Sequence, residues 1–515
     1  MSADSGAPVA GPDAPDTKPQ DDAIPREIKT VIALLVVSAF VVILNETIMS
    51  VALPRLMEDL DITAATAQWL TTGFLLTMAV VIPTTGLILQ RFSTRTVFLT
   101  AMGLFNSGTV IAAAAPGFGV LLGGRIIQAC GTALMIPLLM TTVLNFVPAS
   151  RRGRTMGLIS IVIAVAPAIG PTFSGLILSV LSWRWLFLVV VPVALLSLGL
   201  GAVLVRNITT PRAVRFDILS ILLSALAFGG LIYGLSSIGK AAADGEAPVP
   251  PLLPVSVGVV ALVLFVLRQT VLQRADRALL DLRTFTQRTF AVGVLMMVLC
   301  MGALFGSLIL LPMYLQNVLG LSTLSTGLIL LPGGLTMGLI APLVGKLFDR
   351  HGPRPLVIPG AFGMTAALVA MTTLGVSSPP AMVVAIHVFL CVSLGFMMTP
   401  LMTSALGSLE PSLYSHGSAI VSTLQQLAGA AGTALFVTMM TRGTAASVDG
   451  GSGPVTALAD GIHGAFLVGA ALAAIGAAAS FLVRKPPAPP APSAPADKAA
   501  TPGGEPAPAG VGAGD

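Results

Sequence analysis

Between residues 31 and 483 the chain is divided into runs of about twenty mostly apolar residues, each closed by a short polar segment. A run of that length is what an α-helix needs to cross the hydrocarbon core of a bilayer. Lipid offers no partner for backbone N–H or C=O, so each run must pair its own. Fourteen runs are present, at 31–52, 67–89, 96–116, 120–146, 155–180, 185–205, 217–238, 253–272, 289–312, 324–345, 355–376, 380–405, 418–440 and 461–483. Composition agrees: 55% of residues are hydrophobic and 10% charged, against about 25% charged in soluble domains. The first run follows a tail with acidic residues and passes Leu53-Pro54-Arg55 without a small-x-small site. It is expected to be a first span, not a cleaved leader.

The basic residues test this map, because Lys and Arg gather in cytoplasmic loops. With a cytoplasmic N-terminus, the inward segments hold 22 of the 27 Lys and Arg residues. Arg91 with Arg95, Arg151 with Arg152 and Arg154, and Lys346 with Arg350 and Arg354 are examples. The outward loops hold only Arg55, Arg184, Lys240 and Arg442, and Arg125 lies within a span. The segment Glu410 to His416, expected to face inward, has no basic residue. The net charge of +5 is therefore a topology signal and not a nucleic-acid footprint. Both termini are expected in the cytoplasm. Arginine far outnumbers lysine and Ala, Gly and Pro are abundant, which suggests a GC-rich bacterial genome, and the bacterial inner membrane is the expected location. Residues 1–29 and the Pro/Ala/Gly-rich 484–515 are expected to be disordered tails.

An internal repeat divides the rest. Leu53-Pro54 and Leu311-Pro312 close the first and ninth runs 258 residues apart. Pro83 to Gly86 matches Pro342 to Gly345, and Arg91 and Arg95 match Arg350 and Arg354, at an offset of 259. This predicts an all-α membrane protein of two six-helix halves, 30–205 and 289–483, with two helices inserted at 206–288. Repeated halves suggest alternating access around a central site.

Several motifs resemble the major facilitator superfamily, and within it the fourteen-helix drug:proton antiporters of the EmrB/QacA type. Gly345-Lys346-Leu347-Phe348-Asp349-Arg350-His351-Gly352-Pro353-Arg354 resembles the superfamily's G-x-L-x-D-R-x-G-x-R loop. The resemblance implies a cytoplasmic gate built on Gly345, Asp349, Arg350, Gly352 and Arg354, with Arg91 and Arg95 in the other half. The N-half copy has Gln90 for the Asp and Ser93 for the Gly, which leaves its charge lock in doubt. Arg125 to Gly131 is similar to R-x-x-Q-G. Pro167, Gly170, Pro171 and Gly175 in the fifth run resemble the antiporter motif, in which prolines kink a helix and glycines allow close approach. Trp183-Arg184-Trp185-Leu186-Phe187 with Pro192 resembles the start of the sixth span, its aromatics read as interfacial anchors. Asn45 to Pro54 is similar to L-D-x-T-I-V-N-V-A-L-P, with the acid displaced to Glu46, as in the lincomycin-efflux subgroup.

Glu46 is the only acid well inside a run, and Arg125 the only base. Intramembrane ionisable groups are functional hypotheses by default. Glu46 lies ~9–12 Å and Arg125 ~6–9 Å from the outer end of its helix at 1.5 Å per residue. Their similar depth predicts either a proton-coupling pair or a structural one. Asn45, Asn145, Tyr314, Gln316, Gln425, Gln426 and His387 are the remaining candidates for a substrate cavity. The glutamines equally suit helix–helix hydrogen bonds, and His387 equally suits packing. Asp217 reads as a helix cap. Cys130, Cys300 and Cys391 show neither a disulfide framework nor metal spacing. No P-loop or H-E-x-x-H motif is present, so neither ATP drive nor metal catalysis has a visible basis. The expectation is a monomeric, cofactor-free exporter of small lipophilic drugs or antibiotics in a lipid bilayer, driven by protons. A facilitator or proton symporter for a small metabolite is the alternative on the same fold. A membrane-embedded sensor or enzyme would leave the repeat unexplained.

Overall fold

A computed structural model describes residues 26–483 except 63, 206, 208–210, 212–216 and 245–249. The expected disordered tails lie outside the described residues, apart from residues 26–29. Those four open the first helix, and Ile28 packs against the core.

Every long element is a helix: α1 (Arg26–Leu60), α2 (Ala64–Arg91), α3 (Thr94–Ala113), α4 (Phe118–Phe146), α5 (Ala149–Val180), α6 (Trp185–Leu204, interrupted at Val189), α7 (Ile218–Asp244), α8 (Leu252–Leu272), α9 (Arg288–Met313), α10 (Thr323–His351), α11 (Arg354–Met371), α12 (Pro380–Gly407), α13 (Tyr414–Asp449) and α14 (Pro454–Ser480). Among the described residues, 13 helices are long and apolar enough to cross a membrane. The remaining one, α5, has 32 residues and packs between α1 and α10. Helices outrun the apolar stretches, because a backbone already paired within a helix need not unwind on reaching water. Thus α1 continues to Leu60, where Arg55 pairs with Glu58 at 3.3 Å and Asp59 at 3.7 Å.

Packing follows the sequence repeat. In the first half α1 packs on α4, α5 and α6, α2 on α4, and α3 on α4 and α6. In the second half α9 packs on α12, α13 and α14, α10 on α12, and α11 on α12 and α14. Each pairing has its counterpart eight helices later. The halves meet through α5 with α10 and through α2 with α13, again equivalent pairs. Arg95 donates to Ala202 O at the end of α6, and Arg354 to Phe481 O after α14. Each arginine thus neutralises a negative helix terminus.

The α5–α10 seam is narrow because its residues are small. A Cβ on Gly153 would lie 2.6 Å from Gly345 O, and one on Gly157 would lie 2.5 Å from Ala341 O. Gly157→Leu should therefore cost about 1–3 kcal/mol by overpacking and visibly lower the thermal midpoint in detergent. Gly175→Ala should leave it unchanged, because nothing lies within 4 Å of a Cβ there. Equal midpoints for the two variants would remove the close-packed seam.

The inserted helices α7 and α8 form a hairpin, and α7 packs on both α2 and α13. Asp217, just ahead of α7, caps it through Ser220 N at 3.2 Å and takes a bidentate bond from Arg268 of α8 at 2.7 and 2.8 Å. The Arg268 bond holds the Asp217 carboxyl down at about 2. A depressed carboxyl stabilises the fold above its unfolded value, near 3.9, and loses that contribution as pH falls through the folded value. Asp217→Asn should therefore be less stable than wild type at pH 6 by about 1–2 kcal/mol. The gap should close as pH falls from about 4 towards 2. A gap independent of pH in melting curves would discount the ion pair.

Candidate functional site

Fourteen crossings bring both described ends to one face, which also carries most of the basic side chains; it is called here the arginine-rich face. The buried polar centre lies in the half of the membrane away from it. Arg125 on α4 is 1% exposed, so its guanidinium must find partners within the protein. Its Nη1 donates to Asn45 Oδ1 on α1 at 3.1 Å and to Gln128 Oε1 at 2.8 Å. Gln128 Nε2 donates onward to Thr109 Oγ1 on α3 at 2.8 Å. The guanidinium lies 4.1 Å from the centroid of Phe74 on α2, whose π face favours a desolvated cation. The arginine thus sits where four helices converge. Glycines allow that convergence, since a Cβ on Gly108 would come within 2.5 Å of Gln128 N, and one on Gly131 within 2.7 Å of Phe105 N.

The structure differs from the expected Glu46–Arg125 pair. Asn45, one residue earlier and 3% exposed, takes the arginine, while Glu46 is only partly buried and makes no hydrogen bond or ion pair with it. One residue along a helix turns the side chain by about 100°, which is enough to separate the two roles. Arg125 Nε remains buried without a hydrogen-bond partner. On α5, Gly170 lies against Thr47, next to Glu46, and a Cβ there would collide with the threonine side chain. Gly175, by contrast, makes no close approach. α5 runs unbroken from Ala149 to Val180 through Pro167 and Pro171.

The arginine-rich face is closed by two equivalent sets of contacts. Asp349 at the end of α10 reaches across to α5, its Oδ1 accepting from Gly153 N at 2.8 Å and its Oδ2 from Arg154 N at 3.0 Å. At the equivalent position of α2, Gln90 donates to Ser415 Oγ at 3.0 Å and lies 2.7 Å from His416 Nε2 on α13. The N-half lock doubted from sequence is a neutral hydrogen bond in place of a charged one. Gly352 takes φ +78° at the end of α10, a conformation that favours glycine, whereas Ser93 at φ −68° caps α3. The two loops therefore turn differently, and the glycine is needed in only one. Arg350 is exposed, and Arg95 and Arg354 serve the helix ends already described. Arg91 ends α2 beside Gln90 and has a partner of its own.

The expected cavity residues do not gather at one point. Gln425 and Gln426 lie about a third of the way along α13, partly buried, and Gln426 reaches Met78 Sδ on α2 at 3.7 Å. Asn145 is exposed in the last turn of α4, at the arginine-rich face. Tyr314 is at the opposite end, buried, with its hydroxyl donating to Gly375 O at 2.6 Å. Gln316 is partly exposed in the single π turn Tyr314–Val318 that follows Pro312. His387 is 3% exposed and lies against Gly333 of α10 and 3.7 Å from Cys391 Sγ. Trp183 is fully buried and stacked edge-on against Phe187, so of the aromatic pair only the exposed Trp185 suits an interfacial anchor.

Phe74, Thr109, Ser415 and His416 were not singled out from sequence. The repeat held the signal for the last two, because the partners of Gln90 follow from those of Asp349 once the halves are superposed. Thr399 Oγ1 of α12 also donates across the seam to Ser160 Oγ of α5 at 2.8 Å.

A sequence model described as the Major Facilitator Superfamily matches residues 35–433. The lincomycin resistance protein LmrB of Listeria monocytogenes is 42% identical over 460 residues, covering 88% of this chain and 96% of its own. The multidrug resistance protein B homolog of Mycobacterium tuberculosis is 31% identical, over 77% of this chain and 73% of its own. Among solved structures, the proton:xylose symporter XylE superposes with a TM-score of 0.60 at 16% identity, over 90% of this chain and 97% of its own. The human organic anion transporter MFSD10 gives 0.63 at 16% identity, over 89% of this chain and 100% of its own. At that identity the structural likeness speaks for the fold alone.

Proposed function

The chain belongs to the Major Facilitator Superfamily, and we propose that it exports small lipophilic antibiotics, lincosamides among them, in exchange for protons. The observation that carries alternating access is the placement of the cross-half hydrogen bonds. Among the described residues they run from the arginine-rich face to mid-membrane, at Asp349, Gln90, Thr399 and Gln426. That is the pattern of a carrier shut on one side. The drug class rests on the likeness to lincomycin- and multidrug-resistance proteins over most of both chains.

On this reading the arginine-rich face is cytoplasmic, the membrane is the bacterial inner membrane, and the shut state faces outward. The carrier acts as a monomer and without a cofactor. Glu46 takes a proton from outside, beside an Arg125 whose Nε–H has no partner. Ionised Glu46 attracts the Arg125 cation by charge; protonated Glu46 removes that attraction. Because α5 touches α1 at Thr47 through Gly170, a change at Glu46 acts next to the helix whose other end Asp349 holds. One proton entering across ~100 mV supplies about 2.3 kcal/mol, to which any pH gradient adds. A neutral drug can use both terms.

Inverted vesicles containing the protein should accumulate lincomycin when their interior is acid, and collapse of the pH gradient should release it. No accumulation of lincomycin or of any compound in a lipophilic drug panel, with protein present and folded, would reject the assignment. Accumulation with the gradient reversed would favour the symporter alternative.

A further inference from the structure

The segment joining the inserted hairpin to the second half is tied into the α2–α13 contact. Gln269 of α8 is fully buried; its Nε2 donates to Ser220 Oγ of α7 at 2.8 Å, and its Oε1 accepts from Leu279 N at 2.7 Å and Leu280 N at 3.3 Å. Leu279 and Leu280 are buried in turn. The Leu279 carbonyl lies 3.2 Å from Nδ1 of His416. A carbonyl can only accept, so His416 carries its proton on Nδ1 when neutral. Its Nε2 is then an acceptor, and it faces Gln90 Nε2 at 2.7 Å. The second amide N–H of Gln90 goes to Ser415. One neutral tautomer satisfies every group in the chain.

We propose that Gln90, His416 and the Leu279 carbonyl form a latch, by which the segment after the inserted helices holds the two halves together at the arginine-rich face. The inserted pair is then part of the gate. α7 already bridges α2 and α13, and the latch adds a polar tie at the end where those helices must part. The neutral Gln90 is suited to the task, because a carboxylate there would lack the N–H groups that His416 and Ser415 accept. This inference rests on the carrier reading for the motion, and not on any substrate.

The test reads accessibility. Ser418 on α13 is 1% exposed and lies half a turn deeper than His416. With Cys130 replaced by Ser, Ser418→Cys is treated in sealed vesicles with a membrane-impermeant maleimide from the arginine-rich side. His416→Ala and Gln269→Leu should each raise the labelling rate about two- to tenfold, the effect of losing roughly one hydrogen bond. His416→Gln, which keeps a donor and an acceptor, should raise it less. Gln269→Leu is the critical variant, since it alters neither half. Its melting temperature and that of His416→Gln establish that the fold is retained. Wild-type labelling rates in both His416→Ala and Gln269→Leu, with a raised rate in Asp349→Asn, would overturn the latch and leave Asp349 to hold the face alone. Labelling needs no substrate, so an error in drug class would not alter it. An error in the latch would not alter drug accumulation by the native protein.

Discussion

Replacing Glu46 by Gln should leave a protein that still exchanges drug across vesicles of equal pH but no longer concentrates it. Gln keeps the shape and the hydrogen-bonding capacity but cannot change charge. Arg125 stays anchored in that variant by Asn45, Gln128 and Phe74, none of which depends on Glu46. Folding should therefore be preserved, and the loss confined to coupling. Arg125→Gln should be harsher, because it strips partners from Asn45 and Gln128 inside the membrane, where buried polar groups without partners cost about 1–3 kcal/mol each. Uphill export by Glu46→Gln that still follows the pH gradient would show that another group carries the proton. His387 is not a ready substitute, enclosed as it is by Gly333 and Cys391.

Asp349→Asn should shift the carrier away from the shut state by roughly ten- to a hundredfold. The carboxylate accepts two backbone N–H groups of the opposite half, and bonds to charged acceptors are worth about 1.5–3 kcal/mol each. Asn keeps one acceptor and turns an NH₂ towards the other N–H. The charge also favours the start of α5, where the helix dipole is positive. Turnover should fall accordingly, and more than in Gln90→Asn, whose bonds are neutral. The measurement is the transport rate at matched expression, with spin-label distances between α5 and α10. Unchanged distances and rates in Asp349→Asn would mean that the glycine seam closes the face unaided.

The sequence was most informative where chemistry is one-dimensional. Apolar runs longer than a membrane, and arginines gathered at alternate ends, specify fourteen helices without any knowledge of packing. The repeat also survives, as equivalent pairings in each half. Side-chain direction is a different matter. Glu46 and Asn45 are neighbours in sequence, yet it is Asn45 that hydrogen-bonds Arg125, and that depends on how α1 is rotated against α4. Asn145, Tyr314 and Gln316 lie within or beside apolar runs, but near helix ends, because depth within a run cannot be read without its true boundaries. Gln90 shows the reverse case. Read as a missing acid, it suggested a missing lock, whereas its position at the end of α2 brings it to Ser415 and His416 whatever its charge.

Proton exchange itself is the claim most directly open to measurement. The purified protein is reconstituted into liposomes holding a pH-sensitive dye, with the membrane potential clamped and no initial pH gradient, and a lincomycin gradient is imposed. Antiport predicts that drug moving inward drives protons outward, so the lumen turns alkaline, and that Glu46→Gln abolishes the change. A lumen that turns acid as drug enters, or drug entry with no pH change at all, would contradict the account.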